Sequence, residues 1–271
     1  MHAPIPTGAE PPVSLEEADG VALVTLRSPA TRNALSSGMM AALSDALGAV
    51  AGDPALRAVV IAGEGPAFSA GHDLKEIAAA RAARDGGRAA YEAIFGRCDA
   101  LMAKLHAMPQ PTIAAVEGVA TAAGLQLMAT CDLAVAGADA TFCTPGVDVG
   151  LFCSTPGAAL SRVVGRRQAL EMLFTGDVFD AREALRMGLV NRVVETGGAL
   201  AEARKIAARI AAKSARTVAF GKETFRAQEA LPRAEAMKLV ARAMVDNLMT
   251  ADAAEGVDAF LARRRPVWRD E

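Results

Sequence analysis

Clustered and alternating apolar positions along the chain predict its elements. Residues 13–17 and 21–27 are short β-rich runs separated by Ala18-Asp19-Gly20, which predicts a hairpin closed by an Asp-Gly turn. Residues 39–50 have helical spacing and stop at Gly52-Asp53-Pro54. The continuous apolar run 57–62, bounded by Gly63 and Gly65, suits a strand buried on both faces, and 111–116, ended by Glu117-Gly118, repeats the pattern. Segments 132–136 and 140–143 read as two more short strands. Helices are expected at 74–84, 88–106 and 125–130. From Ser161 onward β signals fade, and helices are expected at 166–174, 181–187, 199–213, 233–249 and 253–265. The order is a strand-helix core followed by a helical final third, an α/β chain.

Composition narrows the functional classes. Of 271 residues, 52% are hydrophobic and 22% charged, so a sizeable core forms and global disorder is excluded. A net charge of −2 argues against a nucleic-acid partner. No window approaches about 18 uninterrupted apolar residues, so no transmembrane helix and no membrane insertion is expected. Residues 1–12 carry Pro4, Pro6, Pro11 and Pro12 but no Arg, Lys or apolar stretch, and read as a flexible lead-in rather than a targeting segment. The four cysteines lie in no metal-ligand spacing and only three histidines exist. A reduced, cytoplasmic protein without a bound metal is the expectation.

Two segments stand out chemically. Ala67-Phe68-Ser69-Ala70-Gly71-His72-Asp73-Leu74 and Gly118-Val119-Ala120-Thr121-Ala122-Ala123-Gly124-Leu125-Gln126-Leu127 each follow an apolar strand and open a helix. Small residues let the backbone approach a ligand, and the first amides of a helix lack intrahelical partners. Two such turns facing one another would aim N–H donors at one oxygen, an oxyanion hole. The alternative is that small residues serve only close packing, and spacing alone does not choose between the two.

FSAGHDL (68–74), Gly118-x-Ala-x-Ala-Ala-Gly and Cys131-Asp132 resemble the signature of the crotonase (enoyl-CoA hydratase/isomerase) superfamily. Arg32-Asn33-Ala34-Leu35, Ala184-x-x-x-Gly188-Leu189-Val190 and the closing Glu255-Gly256 to Pro266 segment are similar to further landmarks in the same order. TFCTPGVDVGLFCSTPG and RRPVW look nearest to its enoyl-CoA hydratase domain-containing protein 3 subgroup. The resemblance implies a spiral of ββα repeats over 13–195 and a helical trimerisation region over 196–271, assembled as a homotrimer or a dimer of trimers. It implies an acyl-CoA thioester ligand, with coenzyme A as the carrier portion of the substrate, and lyase chemistry in fatty acid metabolism. The amides of His72 and Ala123 would be the oxyanion donors. Ala70, His72, Asp73, Leu74 and Lys75 would line the coenzyme, Arg27 would add a phosphate contact, and Phe260 and Arg263 would come from a neighbouring subunit.

The chain departs from the family at its chemistry. Hydratases of the family use two glutamates, at positions held here by Gln126 and Gly146. A Gln amide does not accept a proton at neutral pH and Gly146 has no side chain. A positioned acid or base contributes on the order of 10²- to 10⁴-fold, so ordinary hydration is expected to be weak or replaced. Asp148 and Ser154 are the nearby substitutes, while Cys143, Cys153 and Glu117 read as structural. An Ala-Gly-His-Asp turn like that at His72 occurs in the related methylmalonyl-CoA decarboxylase, and decarboxylation needs an oxyanion hole but no base. Three readings stay open: a hydratase-like lyase using Gln126, Asp148 or water held by Ser154; a decarboxylase, thioesterase or other enolate-forming enzyme on a malonyl-type acyl-CoA; and a non-catalytic acyl-CoA binding protein.

Overall fold

The computed structural model describes residues 11–270. Most of the segment expected to be a flexible lead-in lies outside the described residues. At its end the Pro12 carbonyl accepts a hydrogen bond from Arg27 N, extending the first strand pair.

The hairpin forms as β1 (Val13–Ala18) and β2 (Val21–Leu26), antiparallel throughout. Asp19 and Gly20 both have positive φ, 51° and 75°, as a two-residue turn matching the strand twist requires. Helix α1 (Ser37–Gly52) starts where the Ser36 hydroxyl accepts from Met39 N. The chain then enters β3 (Ala58–Gly63), β5 (Thr112–Val116) and β7 (Leu133–Gly137). Each is followed by a short strand in a second sheet: β4 (Ala67–Ser69), β6 (Val119–Thr121) and β8 (Thr141–Cys143). Between them lie α2 (Leu74–Ala80), α3 (Arg88–Ala107) and α4 (Ala123–Thr130).

The chain therefore winds as the expected ββα spiral. The first sheet runs β1-β2-β3-β5-β7-β10 and the second β4-β6-β8-β9, with β9 at Phe179–Asp180 and β10 at Arg192–Val194. All pairs are parallel except β1 with β2 and β8 with β9. Alternation within β3 covers both faces. Val59 and Ile61 join the main core with Leu26, Leu43 and Phe68, whereas Ala58, Val60 and Ala62 face α8 (Ala199–Ala211). Ala199, Ala203 and Ala207, four residues apart on α8, let it lie close on the sheet. Each fully buried Leu, Met or Phe contributes ~2–3 kcal/mol of apolar burial.

Several expectations needed correction. Helix α2 ends at Ala80 rather than 84, and α11 (Ala251–Leu261) ends before Arg263, which has φ +53°. Strands β4 and β6 inside the two chemical segments were not expected, being only three residues each. Nor were α5 (Ser154–Val163) and α9 (Ala215–Glu229). Neither α9 nor α10 (Arg233–Leu248) buries a residue among the described residues of this chain. Between them, α6 (Arg166–Thr175) and α7 (Ala181–Met187) fall where the periodicity placed them.

The Cys131-Asp132 pair serves as an anchor. Asp132 Oδ2 accepts from Thr112 N at 2.7 Å, from Thr112 Oγ1 at 2.9 Å and from Lys222 Nζ, tying α9 to the N-terminal ends of β5 and β7. Glu117 is likewise structural, with Oε1 accepting from Ala199 N at 2.9 Å at the start of α8.

Candidate functional site

β4, β6 and β8 are neighbouring parallel strands, so their C-terminal ends lie along one edge of the second sheet. The chain leaves β4 into Ala70–Asp73, leaves β6 into Ala122 and α4, and leaves β8 into the 144–153 loop. The first two exits touch. A Cβ placed on Gly71, whose φ is +81°, would lie 3.0 Å from Ala123 N and 3.0 Å from Thr121 O. Only glycine fits both that backbone and that gap.

The peptide units carrying His72 N–H and Ala123 N–H are each pinned from behind. Leu35 N donates to Gly71 O at 2.7 Å, and Gln126 N donates to Ala122 O at 3.0 Å. In a trans peptide the N–H points opposite to the carbonyl, so each bond fixes the direction of one amide. Among the described residues neither His72 N nor Ala123 N donates to a protein group. Ala122, between them in sequence, has φ +50° and ψ −121°. A non-glycine residue there costs ~1–3 kcal/mol, held by surrounding contacts such as Ala122 N to Cys143 O at 3.1 Å.

The side chains at this edge are sparse in acid–base groups. His72 packs edge-on against Phe95, ring centroids 5.0 Å apart. Among the described residues neither ring nitrogen makes a well-formed hydrogen bond, although the Leu35 backbone lies close enough to act on the ring's charge. Burial pushes its pKa below the usual 6.5, opposed by the Leu35 backbone and the Glu76 charge, so the ring is neutral at pH 7. Gln126 is buried at 8% exposure, and its Oε1 has no partner. Gly146 is crowded. A Cβ there would stand 2.7 Å from Leu151 O and 2.8 Å from Cys153 Sγ, and Leu151 N donates to Gly146 O at 2.8 Å. The loop has folded in upon the space a side chain would occupy.

Asp148 is exposed on that loop, and its carboxylate lies toward Gly176, where a Cβ would be 3.3 Å from Oδ2. Ser154 is exposed at the start of α5, its hydroxyl directed at Phe152 O at 3.4 Å. Cys143 Sγ bonds Thr121 Oγ1 at 3.2 Å, and burial raises the thiol pKa of both Cys143 and Cys153. They are protonated packing groups rather than nucleophiles.

The residues expected to line a coenzyme are spread over two places. Ala70 N donates to Arg32 O at 2.9 Å, Asp73 caps α2 by accepting from Lys75 N at 2.8 Å, and Leu74 and Lys75 are exposed beside it. Arg27 is held by Glu64 at 3.1 Å. Phe260 is 83% exposed on α11, lining a groove with Thr217 and Trp268, and Arg263 follows just beyond. None of Ala70–Lys75 lines that groove. Sequence reasoning gave no role to Asn33 or Ser69, both fully buried behind the first turn. An Asn in the left-handed region, φ +53° here, is the signal that a tight polar knot was present.

Comparison with known proteins agrees with this architecture. The enoyl-CoA hydratase/isomerase family model matches residues 16–271. The chain is 46% identical over 255 residues to rat mitochondrial enoyl-CoA hydratase domain-containing protein 3, covering 94% of this chain and 83% of that one. The human counterpart is 45% identical over 260 residues, covering 96% and 84%. The crystal structure of human enoyl coenzyme A hydratase domain-containing protein 3 superposes with a TM-score of 0.90 at 45% identity, over 95% of this chain and all of that one. An enoyl-CoA hydratase structure from Mycobacterium smegmatis gives 0.89 at 47% identity, over 96% and 99%. The expected cytoplasmic location is corrected by these relatives, since the rat, human and frog proteins are named as mitochondrial. Family model, relatives and superposed structures agree with the two-sheet spiral, and the chain belongs to the enoyl-CoA hydratase/isomerase (crotonase) family.

Proposed function

We propose that this protein binds an acyl-CoA thioester and polarises its carbonyl between the backbone amides of His72 and Ala123, stabilising an enolate without the paired carboxylates of a hydratase. The observation that carries this reading is the pair of unpartnered, back-pinned amides on touching turns. Such donors act on charge that develops in the transition state and need no reorganisation when it appears. Gln126 supplies a buried amide that orients substrate or water but takes no proton. Gly146 supplies no base, the Asp148 carboxylate lies toward Gly176, and the Ser154 hydroxyl is directed at Phe152 O. Ala70 to Lys75 and Arg27 form the coenzyme side, with Phe260 and Arg263 supplied by another copy.

A decarboxylation of a malonyl-type thioester suits the same site. There the C–C bond electrons flow into the thioester, CO₂ leaves, and the amides hold the enolate. The neutral, half-buried His72 ring favours it, because a neutral imidazole donates a hydrogen bond to a substrate without neutralising its carboxylate.

A homotrimer or dimer of trimers fits the C-terminal helices. Met237, Met244, Val245, Leu248 and Met249 of the α10 segment are each more than half exposed, and Arg226 Nη1 is buried without a partner beside a cavity of about 520 Å³. Light scattering coupled to size exclusion checks the assembly.

The deciding experiment incubates the pure protein with a mixed panel of enoyl-, β-hydroxyacyl-, malonyl- and methylmalonyl-CoA and follows masses. Loss of CO₂ supports the decarboxylase form, and gain or loss of water at hydratase-like rates sinks the base-free reading. Binding without conversion leaves an acyl-CoA binding protein.

A further inference from the structure

We infer that Ser69 is a positioning residue that sets the gap between the two amide donors. This rests on the reading of His72 N and Ala123 N as carbonyl-binding groups.

Ser69 is the last residue of β4 and has no exposed surface. Its hydroxyl donates to Asn33 O at 2.8 Å and accepts from Gly71 N at 3.3 Å. Asn33 is itself fixed, with Nδ2 donating to Glu64 O at 2.9 Å and Ala67 O at 2.8 Å, and Oδ1 accepting from Ser28 N at 2.8 Å. Two residues on, Leu35 N holds Gly71 O. The segment 32–35 and the Ser69 hydroxyl thus grip Gly71 at both its N–H and its carbonyl, and the carbonyl belongs to the peptide that carries His72 N–H.

The rest of Ser69 faces the other donor. A Cβ on Gly124 would fall 2.2 Å from Ser69 O and 2.7 Å from Ser69 Cβ. Gly124 follows Ala123, so the backbone of α4 is set against Ser69 with no side chain between. One residue therefore braces both turns, by hydrogen bonds on one side and by contact on the other. Loss of the hydroxyl leaves Gly71 N without its partner and frees the first turn to shift while the second stays in place. Misplacement of about 1 Å costs ~10²-fold in a site that depends on alignment.

The test uses Ser69→Ala, with Ser69→Cys as a second variant of nearly the same size, and 2,4-hexadienoyl-CoA as a probe. Its conjugated thioester absorbs at longer wavelength when the carbonyl is polarised. We expect the wild type to bind the probe with a red shift. Ser69→Ala, folded by circular dichroism, should bind within about threefold of wild type yet lose at least about half of the shift, and any turnover identified should fall in kcat rather than rise in KM. A purely structural hydroxyl would lower Tm and leave the band unmoved in the folded fraction. An unchanged shift in a folded variant overturns the inference, as does failure of both variants to fold, which would make the hydroxyl a folding requirement. If the wild type binds the probe with no shift, the carbonyl-binding reading itself fails.

Discussion

Three parallel strands of one sheet, β4, β6 and β8, release the chain at the same edge, and their exits differ in kind. After β4 and β6 the backbone is gripped until two amides are left free and fixed in direction. After β8 the chain coils into a tight turn over Pro145–Val149 and closes on Gly146, with Leu151 O and Cys153 Sγ in the space a side chain would need. The first two exits offer backbone donors of the kind the proposed thioester site would use. The third offers no side chain at Gly146, and the space beside its Cα is filled by the loop's own atoms. On the proposed reading, amide donors and the position of a general base reside in separate loops, so a change in one loop need not disturb the other.

The contrast is broken most directly at Ala123. Ala123→Pro removes one amide at the first position of α4, where proline is best tolerated. Turnover of any substrate found should fall ~10²- to 10³-fold with coenzyme A affinity retained, and steady-state kinetics beside calorimetry check both. Unchanged rates would move the oxyanion donor elsewhere.

A change far from the edge should do the reverse. Asp132→Asn leaves Lys222, whose side chain is 9% exposed, without its counter-charge. We expect a loss of ~3 kcal/mol in urea unfolding with acyl-CoA affinity unaltered.

The third exit is tested by putting the carboxylate back. Gly146→Glu must displace Leu151 O or Cys153 Sγ, so a destabilisation of ~1–3 kcal/mol is expected. The double variant Gln126→Glu with Gly146→Glu should accordingly fail to restore crotonyl-CoA hydration, contrary to what residue identities alone suggest. Recovery of hydratase rates would show that the loop opens readily.

The smallest effect concerns His72. Burial holds its folded pKa below the ordinary 6.5, so the unfolded chain takes up the proton more readily. The stability tied to the neutral ring is complete above pH 6.5 and is lost as pH falls from 6.5 toward the lowered value. Urea midpoints of the wild type should thus drop more than those of His72→Phe between pH 7 and 5.

Much of the fold was legible because strong local signals agreed with it. The Asp19-Gly20 turn, the buried run of β3, the Gly52-Asp53-Pro54 stop of α1 and the glycines of the two turns each carry their own physical reason. Strands β4, β6, β9 and β10 were not, being two or three residues each and, for β4 and β6, lying inside segments read as turns. Helix α9 was missed, its sequence mixing Thr217, Gly221 and Thr224 with scattered apolar positions. At the site, residue types marked the two small-residue turns and the identities of Gln126 and Gly146, whose roles belong to the proposed function.

The amino-acid sequence alone pointed to the family and the spiral and fixes the identities of Gln126 and Gly146, since these depend on residue type and order. Only the tertiary structure decided that Gly71 meets Ala123, that Asn33 and Ser69 stand behind the first donor, and that Gly146 is sealed by its own loop. Those facts depend on which carbonyl a peptide N–H finds across tens of residues and on gaps of a few tenths of an ångström. No pattern of side chains along a chain encodes them in readable form.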